Sequence, residues 1–247
     1  MTEIEIVSSG SQANGYLLKS GGEILVLELG CKFSDYVERL NTEDFRLVRG
    51  CLVSHRRRLG HSDHINPSTA KEFIRRGIPV FAHEEVIKEA DLSGFSPLFS
   101  HFPNKVGEFI IQTFETPHNV PNYGFLITTP TNERILFLTD TTGVNLRFRD
   151  INCIMVECNS DDDTLLDNLA NHDVSLSHPE FHLGLNDCAE FCKQNIGAST
   201  KQVILIHLSH TNVNEQHAIE TIKEYCNFDN VAVAHKGDKF IIENDDF

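Results

Sequence analysis

The sequence predicts an α/β fold assembled from two β/α halves, and three observations lead there. Short apolar runs of strand length alternate with amphipathic stretches of helical period. Turn residues separate those runs, with Gly21-Gly22 as a clear hairpin signal. No linker, low-complexity tract or repeat period divides the chain, so residues 1–247 are read as one domain.

Taken in order, 4–8 is a short strand, followed by a turn from Gly10 to Gly15. Strands at 16–19 and 24–29 flank Gly21-Gly22. Residues 35–40 form a short helix, and 48–54 an apolar strand that runs straight into His55. Pro67 suits a helix start, where its missing N–H is no loss, and 68–76 continues that helix. In the second half, 109–114 is a strand ending at Thr116-Pro117-His118. Strands 123–128 and 134–138 make a hairpin that ends at Thr139-Asp140. The strand 153–156 ends at Glu157, and helices follow at 163–171 and 186–195. The buried-type run 203–206 ends at His207. A helix at 215–225 and strands at 231–234 and 240–243 close the chain. The acidic run Asp161-Asp162-Asp163 reads as a solvated helix start, where negative charge meets the positive end of the helix dipole.

Composition narrows the partners. Lys and Arg number 21 against 36 Asp and Glu, a formal net charge of −15. Such a surface repels polyanions and weighs against long DNA or RNA. A small phosphorylated substrate held by local charges stays open. No apolar run reaches the roughly 18–20 residues that span a bilayer. The first residues, Met1-Thr2-Glu3-Ile4, are acidic and unlike a secretory leader, so a cytoplasmic protein is expected. The seven Cys are odd in number and none is spaced Cys-x-x-Cys, so free thiols are expected. Cys158 is read as a small buried apolar residue.

Several strands end in a residue able to bind a metal: His55, His118, Asp140 and His207, with His61-Ser62-Asp63-His64 in the loop after His55. Strand ends on one edge are close in space though distant in sequence. Imidazole nitrogen and carboxylate oxygen suit Zn²⁺, Mn²⁺ or Fe. A lone His at a strand end is more often structural; the ordered set is what points to a metal site.

The order His55, His61-x-Asp63-His64, His118, Asp140, His207 resembles the metallo-β-lactamase-fold hydrolases, whose signature is His-x-His-x-Asp-His, then a His, a bridging Asp and a last His. The likeness covers nearly the whole chain. It includes the opening 8–18, the strand and turn 136–143 around Asp140, and His207-Leu208-Ser209 with Asn212. The last motif is similar to a phosphodiesterase-like branch that includes ribonuclease Z, phosphonate-pathway phosphodiesterases and the phage anti-Pycsar proteins, which degrade cyclic mononucleotides. The resemblance implies a four-layer αββα sandwich with an altered first metal-binding loop. It implies two divalent ions, zinc or manganese: one held by His55, His61 and His118, the other by Asp63, His64 and His207, with Asp140 bridging. Asp63 would orient the attacking water and His182 would protonate the leaving group, with His178 as a competitor for that post. The implied activity is hydrolysis of a small cyclic nucleotide in the cytoplasm (the host's, for a phage protein) by a homodimer. Two alternatives stay open: a nuclease acting on RNA or DNA ends, and a degenerate member that binds a nucleotide without cleaving it.

One departure matters. The family places one residue between its first two His; here five residues, Arg56-Arg57-Arg58-Leu59-Gly60, separate His55 from His61. In one account His55 is the first ligand and the insertion bulges out, with Arg56, Arg57 and Arg58 over the mouth to hold phosphate. In the other, a ligand is lost and the three Arg belong to a solvated loop.

Overall fold

The strands of the computed structural model build two seven-stranded sheets among its described residues, which are 1–56, 64–90, 94–100, 102–170 and 181–243. The first half holds β1 (Thr2–Ser8), β2 (Gly15–Ser20), β3 (Glu23–Leu27), α1 (Phe33–Val37), α2 (Thr42–Leu47), β4 (Val48–Leu52), α3 (Pro67–Arg75), β5 (Val80–Ala82), α4 (Glu84–Ala90) and β6 (Phe95–Pro97). The second holds β7 (Asn104–Val106), β8 (Phe109–Glu115), β9 (Tyr123–Thr128), β10 (Arg134–Leu138), β11 (Cys153–Glu157), α5 (Asp162–Ala170), α6 (Leu185–Asn195), β12 (Gln202–Ile206), α7 (Glu215–Cys226), β13 (Val231–Val233) and β14 (Lys239–Ile242). One sheet runs β14-β1-β2-β3-β4-β5-β6 and the other β13-β12-β11-β10-β9-β8-β7. Each is mixed: β3 to β6 and β10 to β13 are parallel, and the remaining neighbours are antiparallel.

Why the inner strands are apolar throughout follows from the layers. On β10, Ile135 and Phe137 enter the core between the sheets, while Leu136 and Leu138 face the second core with residues of α6 and α7. On β3, Leu25 and Leu27 point inward, and Ile24 and Val26 join the cluster that includes Phe73 of α3. Both faces are covered, so neither polar alternation nor solvent exposure survives. The result is the four-layer αββα sandwich expected above.

Local chemistry sets the turns. Gly21 and Gly22 have φ of 56° and 77°, the left-handed pair that a two-residue hairpin demands. Pro67 opens α3, and the Asn66 side chain accepts from the Ser68 and Thr69 amides. The acidic run departs from expectation. Asp162 and Asp163 are exposed, but Asp161 is buried: it accepts from the Thr164 amide at 2.7 Å and from the Asn214 amide at 2.8 Å, which ties the start of α5 to that of α7. The elements α2, β5, α4, β6 and β7 were not anticipated from the sequence. All seven cysteines are free thiols, and Cys158 lies fully inside the second core.

Candidate metal centre

The parallel arrangement brings the carboxyl ends of β3, β4, β10, β11 and β12 to one edge of the sandwich, and the chemistry collects there. His55 stands three residues beyond β4, His118 three beyond β8, Asp140 two beyond β10, and His207 directly beyond β12. His64 is fixed by its own backbone, whose carbonyl accepts from the Leu29 amide at 2.8 Å. Asp140 and His207 have φ of 47° and 54°, and Glu28, just past β3, has 60°. Positive φ on non-glycine residues is strained, and here three such residues lie on the same edge.

The side chains converge on Asp140. Its Oδ2 lies 3.3 Å from His55 Nε2 and 3.9 Å from His118 Nε2; its Oδ1 lies 2.6 Å from His207 Nδ1, 3.4 Å from His64 Nε2 and 3.9 Å from His182 Nδ1. All six side chains are at most 6% exposed. His55, which the spacing left in doubt, therefore points into the cluster. His118 and His182 are also brought in. Arg56 is half-buried directly after His55. His61, Asp63, Arg57, Arg58 and His178 lie outside the described residues.

Glu157 is the residue that sequence reasoning passed over. It ends β11 as Asp140 follows β10, and it is fully buried. Its Oε1 meets His182 Nδ1 at 2.6 Å and His207 Nδ1 at 2.9 Å, and its Oε2 accepts from the Thr141 and Leu183 amides. Glu28 is a second omission: fully buried, it accepts from the Ser54 amide and faces His64 Nδ1 at 3.6 Å. The available signal was the same in each case, an acidic residue at or just past the end of an apolar strand.

Burial would raise the Asp140 carboxyl, but the imidazoles of His207, His64 and His55 outweigh it and hold it well below the usual range. Burial and the charge of Asp140 push Glu157 up, and hydrogen bonds from His182 and His207 bring it below its ordinary value. Buried carboxylates of this kind need positive charge beside them.

The donor set fits a divalent ion. The Phe181 carbonyl can only accept, so His118 Nδ1, 3.2 Å away, carries the proton and Nε2 offers its lone pair. Ser54 Oγ lies 3.0 Å from His55 Nδ1, on the ring side opposite the cluster. His55 Nε2 is buried, has no hydrogen-bond partner among the described residues, and looks at Asp140. Two groups of potential ligand atoms lie within 4.8 Å of one another: His55, His64 and Asp140, and Asp140, Glu157, His182 and His207. Such N/O sets suit zinc and its neighbours.

Solved structures superpose on nearly the whole chain. The metallo-beta-lactamase fold protein YhfI from Bacillus subtilis aligns with a TM-score of 0.71 and 17% identity, over 98% of this chain and 100% of that one. A diphosphatase from the PhnP family aligns with a TM-score of 0.70 and 13% identity, over 99% of each chain. The chain has the metallo-β-lactamase fold. Unliganded yeast PDE1 shares it as well, with a TM-score of 0.67 and 12% identity over 96% of this chain and 98% of that one. No protein-family model and no curated protein matches the sequence. Among the described residues, no helix is long and apolar enough to cross a membrane.

Proposed function

We propose that the protein is a metal-dependent phosphodiesterase that opens a small cyclic nucleotide in the cytoplasm. The observation that carries the reading is the convergence of His55, His64, His118 and His207 on Asp140, with the Glu157–His182 pair at its side. The four imidazoles and Asp140 would hold two divalent ions, with His61 and Asp63 completing the set. Bound there, the ions supply Lewis-acid activation of water and neutralise charge on the phosphoryl oxygens. Glu157, a carboxylate, can only accept from His182, so His182 Nδ1 keeps its proton and Nε2 is the atom left for proton transfer. The same carboxylate steadies the ring when it is charged, as a general acid requires. His182 thereby gives its Nε2 proton to the departing sugar oxygen. The fold neighbours include a diphosphatase and yeast PDE1, which supports phosphoester chemistry.

The test is elemental analysis followed by a substrate screen. Protein dialysed against Zn²⁺ or Mn²⁺ should carry about two ions per chain. It should then hydrolyse a cyclic mononucleotide. Fewer than half an ion per chain, or no cyclic nucleotide cleaved with either metal, would overturn the reading. Cleavage of RNA ends in the same screen would replace it with the nuclease.

A further inference from the structure

Left-handed backbone gathers at the metal centre. Glu28, Asp140 and His207 have φ of 60°, 47° and 54°, and all three are buried just beyond strand ends. Elsewhere among the described residues, positive φ outside glycine falls on Asn132, Asp150 and Asn227. Asn132 lies in the turn between β9 and β10, and Asn227 caps α7. Asn and Asp accept this conformation in such places, because a short polar side chain can bond locally. The three at the centre are held by side chains from other parts of the chain.

Each has its carbonyl bound by a buried donor. Tyr36 Oη donates to the Glu28 carbonyl at 2.8 Å, Asn122 Nδ2 to that of Asp140 at 2.7 Å, and Asn159 Nδ2 to that of His207 at 3.1 Å. Asn122 also donates to the Thr139 carbonyl at 3.0 Å and to Thr116 Oγ1 at 2.7 Å, so it spans the turn out of β10. His207 is gripped twice, because its own amide donates to Ser9 Oγ at 2.9 Å. Carbonyls only accept, which fixes both amides with nitrogen toward the strand end. Their oxygens, Asn122 Oδ1 and Asn159 Oδ1, are then buried with no hydrogen-bond partner among the described residues. An acceptor left in that way costs stability. The two amides are therefore placed for the carbonyls they hold, not for the stability they add.

Backbone hand decides where these side chains point. Along a strand they alternate between the two faces, and a left-handed residue at its end departs from that alternation. Asp140 and His207 follow strands two places apart in the sheet, yet Oδ1 and Nδ1 approach to 2.6 Å. A return to negative φ would relieve the strain and swing the two groups apart. We propose that Asn122 and Asn159 are positioning residues of the centre: they keep Asp140 and His207 left-handed, and so hold a carboxylate and an imidazole ready for a divalent ion. The inference rests on the metal-dependent part of the proposed function and is independent of the substrate.

Cobalt(II) is the deciding probe, because its visible absorption reports ligand geometry without turnover. Full-length wild type should bind it. Asn122→Leu and Asn159→Leu, near in size but without a donor, should each bind it about 10–100-fold more weakly, with altered bands. Asn195→Leu is the matched control. Asn195 is buried at the end of α6, where it donates to the Phe191 carbonyl at 2.8 Å and accepts from the Phe148 amide at 2.7 Å. Its loss should lower stability in urea and leave cobalt affinity and spectrum unchanged. Should a Leu variant not fold, Asn122→Ser or Asn159→Ser takes its place, since a water then satisfies the carbonyl while the clamp is gone. Wild-type affinity and bands in either clamp variant, or an equal change in Asn195→Leu, overturn the proposal. A wild type that binds no cobalt overturns it together with the metal-dependent reading. If cobalt binds and the clamp variants weaken it while no phosphodiester is cleaved, the positioning role stands and the phosphodiesterase reading falls.

Discussion

Strand β10 has a buried carboxylate at each end, and the two are treated in opposite ways. Before it, Glu133 is enclosed by the chain's own donors. Thr2 and Thr129 hydroxyls donate to its Oε2 at 2.9 and 2.6 Å, the Thr131 hydroxyl joins them, and the Met1 ammonium lies 2.8 Å from Oε1. Beyond the strand, Asp140 is ringed by imidazoles whose ring nitrogens are themselves possible ligands, with Glu157 close by. The first carboxylate is neutralised by the protein. The second is held by imidazoles that can themselves serve as metal ligands. The comparison teaches that a buried acid marks a site by what surrounds it, since both are equally hidden from water.

The sharpest way to break the comparison is to delete each acid in turn. Asp140→Ala should reduce bound metal and bring phosphodiester turnover below detection while circular dichroism stays native; normal metal content would remove Asp140 from the site. Glu133→Ala should do the reverse. It leaves buried hydroxyls without their acceptor, so it should lower unfolding stability by about 2–3 kcal/mol in a urea titration and leave metal content alone. Loss of metal in that variant would erase the distinction.

A smaller effect is expected at Glu157. Glu157→Gln keeps the shape but removes the charge that orients His182 and His207, so turnover should fall about 10–100-fold. Unchanged turnover would leave Glu157 with a packing role alone.

The smallest effect is in pH. Burial pushes the Glu133 carboxyl up, but the Met1 ammonium and the hydroxyls of Thr129, Thr131 and Thr2 outweigh it and bring it down to about 2, against 4.5 for an unperturbed Glu. A depressed carboxyl stabilises the fold above its unfolded value, and that contribution disappears as pH falls from about 4.5 to about 2. The stability difference between wild type and Glu133→Gln should therefore shrink across that interval. A constant difference would mean that charge is not what Glu133 contributes.

Much of this was legible in the sequence because apolar strands on both faces of a sheet leave a plain mark, and so does a His or Asp at their ends. The hairpin 123–128/134–138 matches β9 and β10 residue for residue. The stretch between α3 and β8 was not legible. Its strands β5, β6 and β7 have three residues each and exist only through partners distant in sequence, so they have no period to read. Glu157 failed for a different reason. Its position was noticed, but a strand-end acid reads alike whether it meets water or two imidazoles. Asp161 shows the same limit, reading as a surface acid while its carboxylate joins two helix starts.

The placement of β1 has a consequence for how the chain is made. β1 lies between β2 and β14, with Thr2 opposite Ile242, so its second neighbour is synthesised long after it. Until then β1 is an open edge, the kind of template on which nascent chains misassociate. Its sequence alternates Ile4 and Ile6 toward the inter-sheet core with Glu3 and Glu5. In the finished protein those acids meet Lys19 and Lys239. Lys19 and Arg39, which also reaches Glu5, are made early and Lys239 late, so the open strand carries ionic side chains, and these discourage pairing with another copy of itself. The two glutamates thus guard the growing chain first and fasten β14 afterwards.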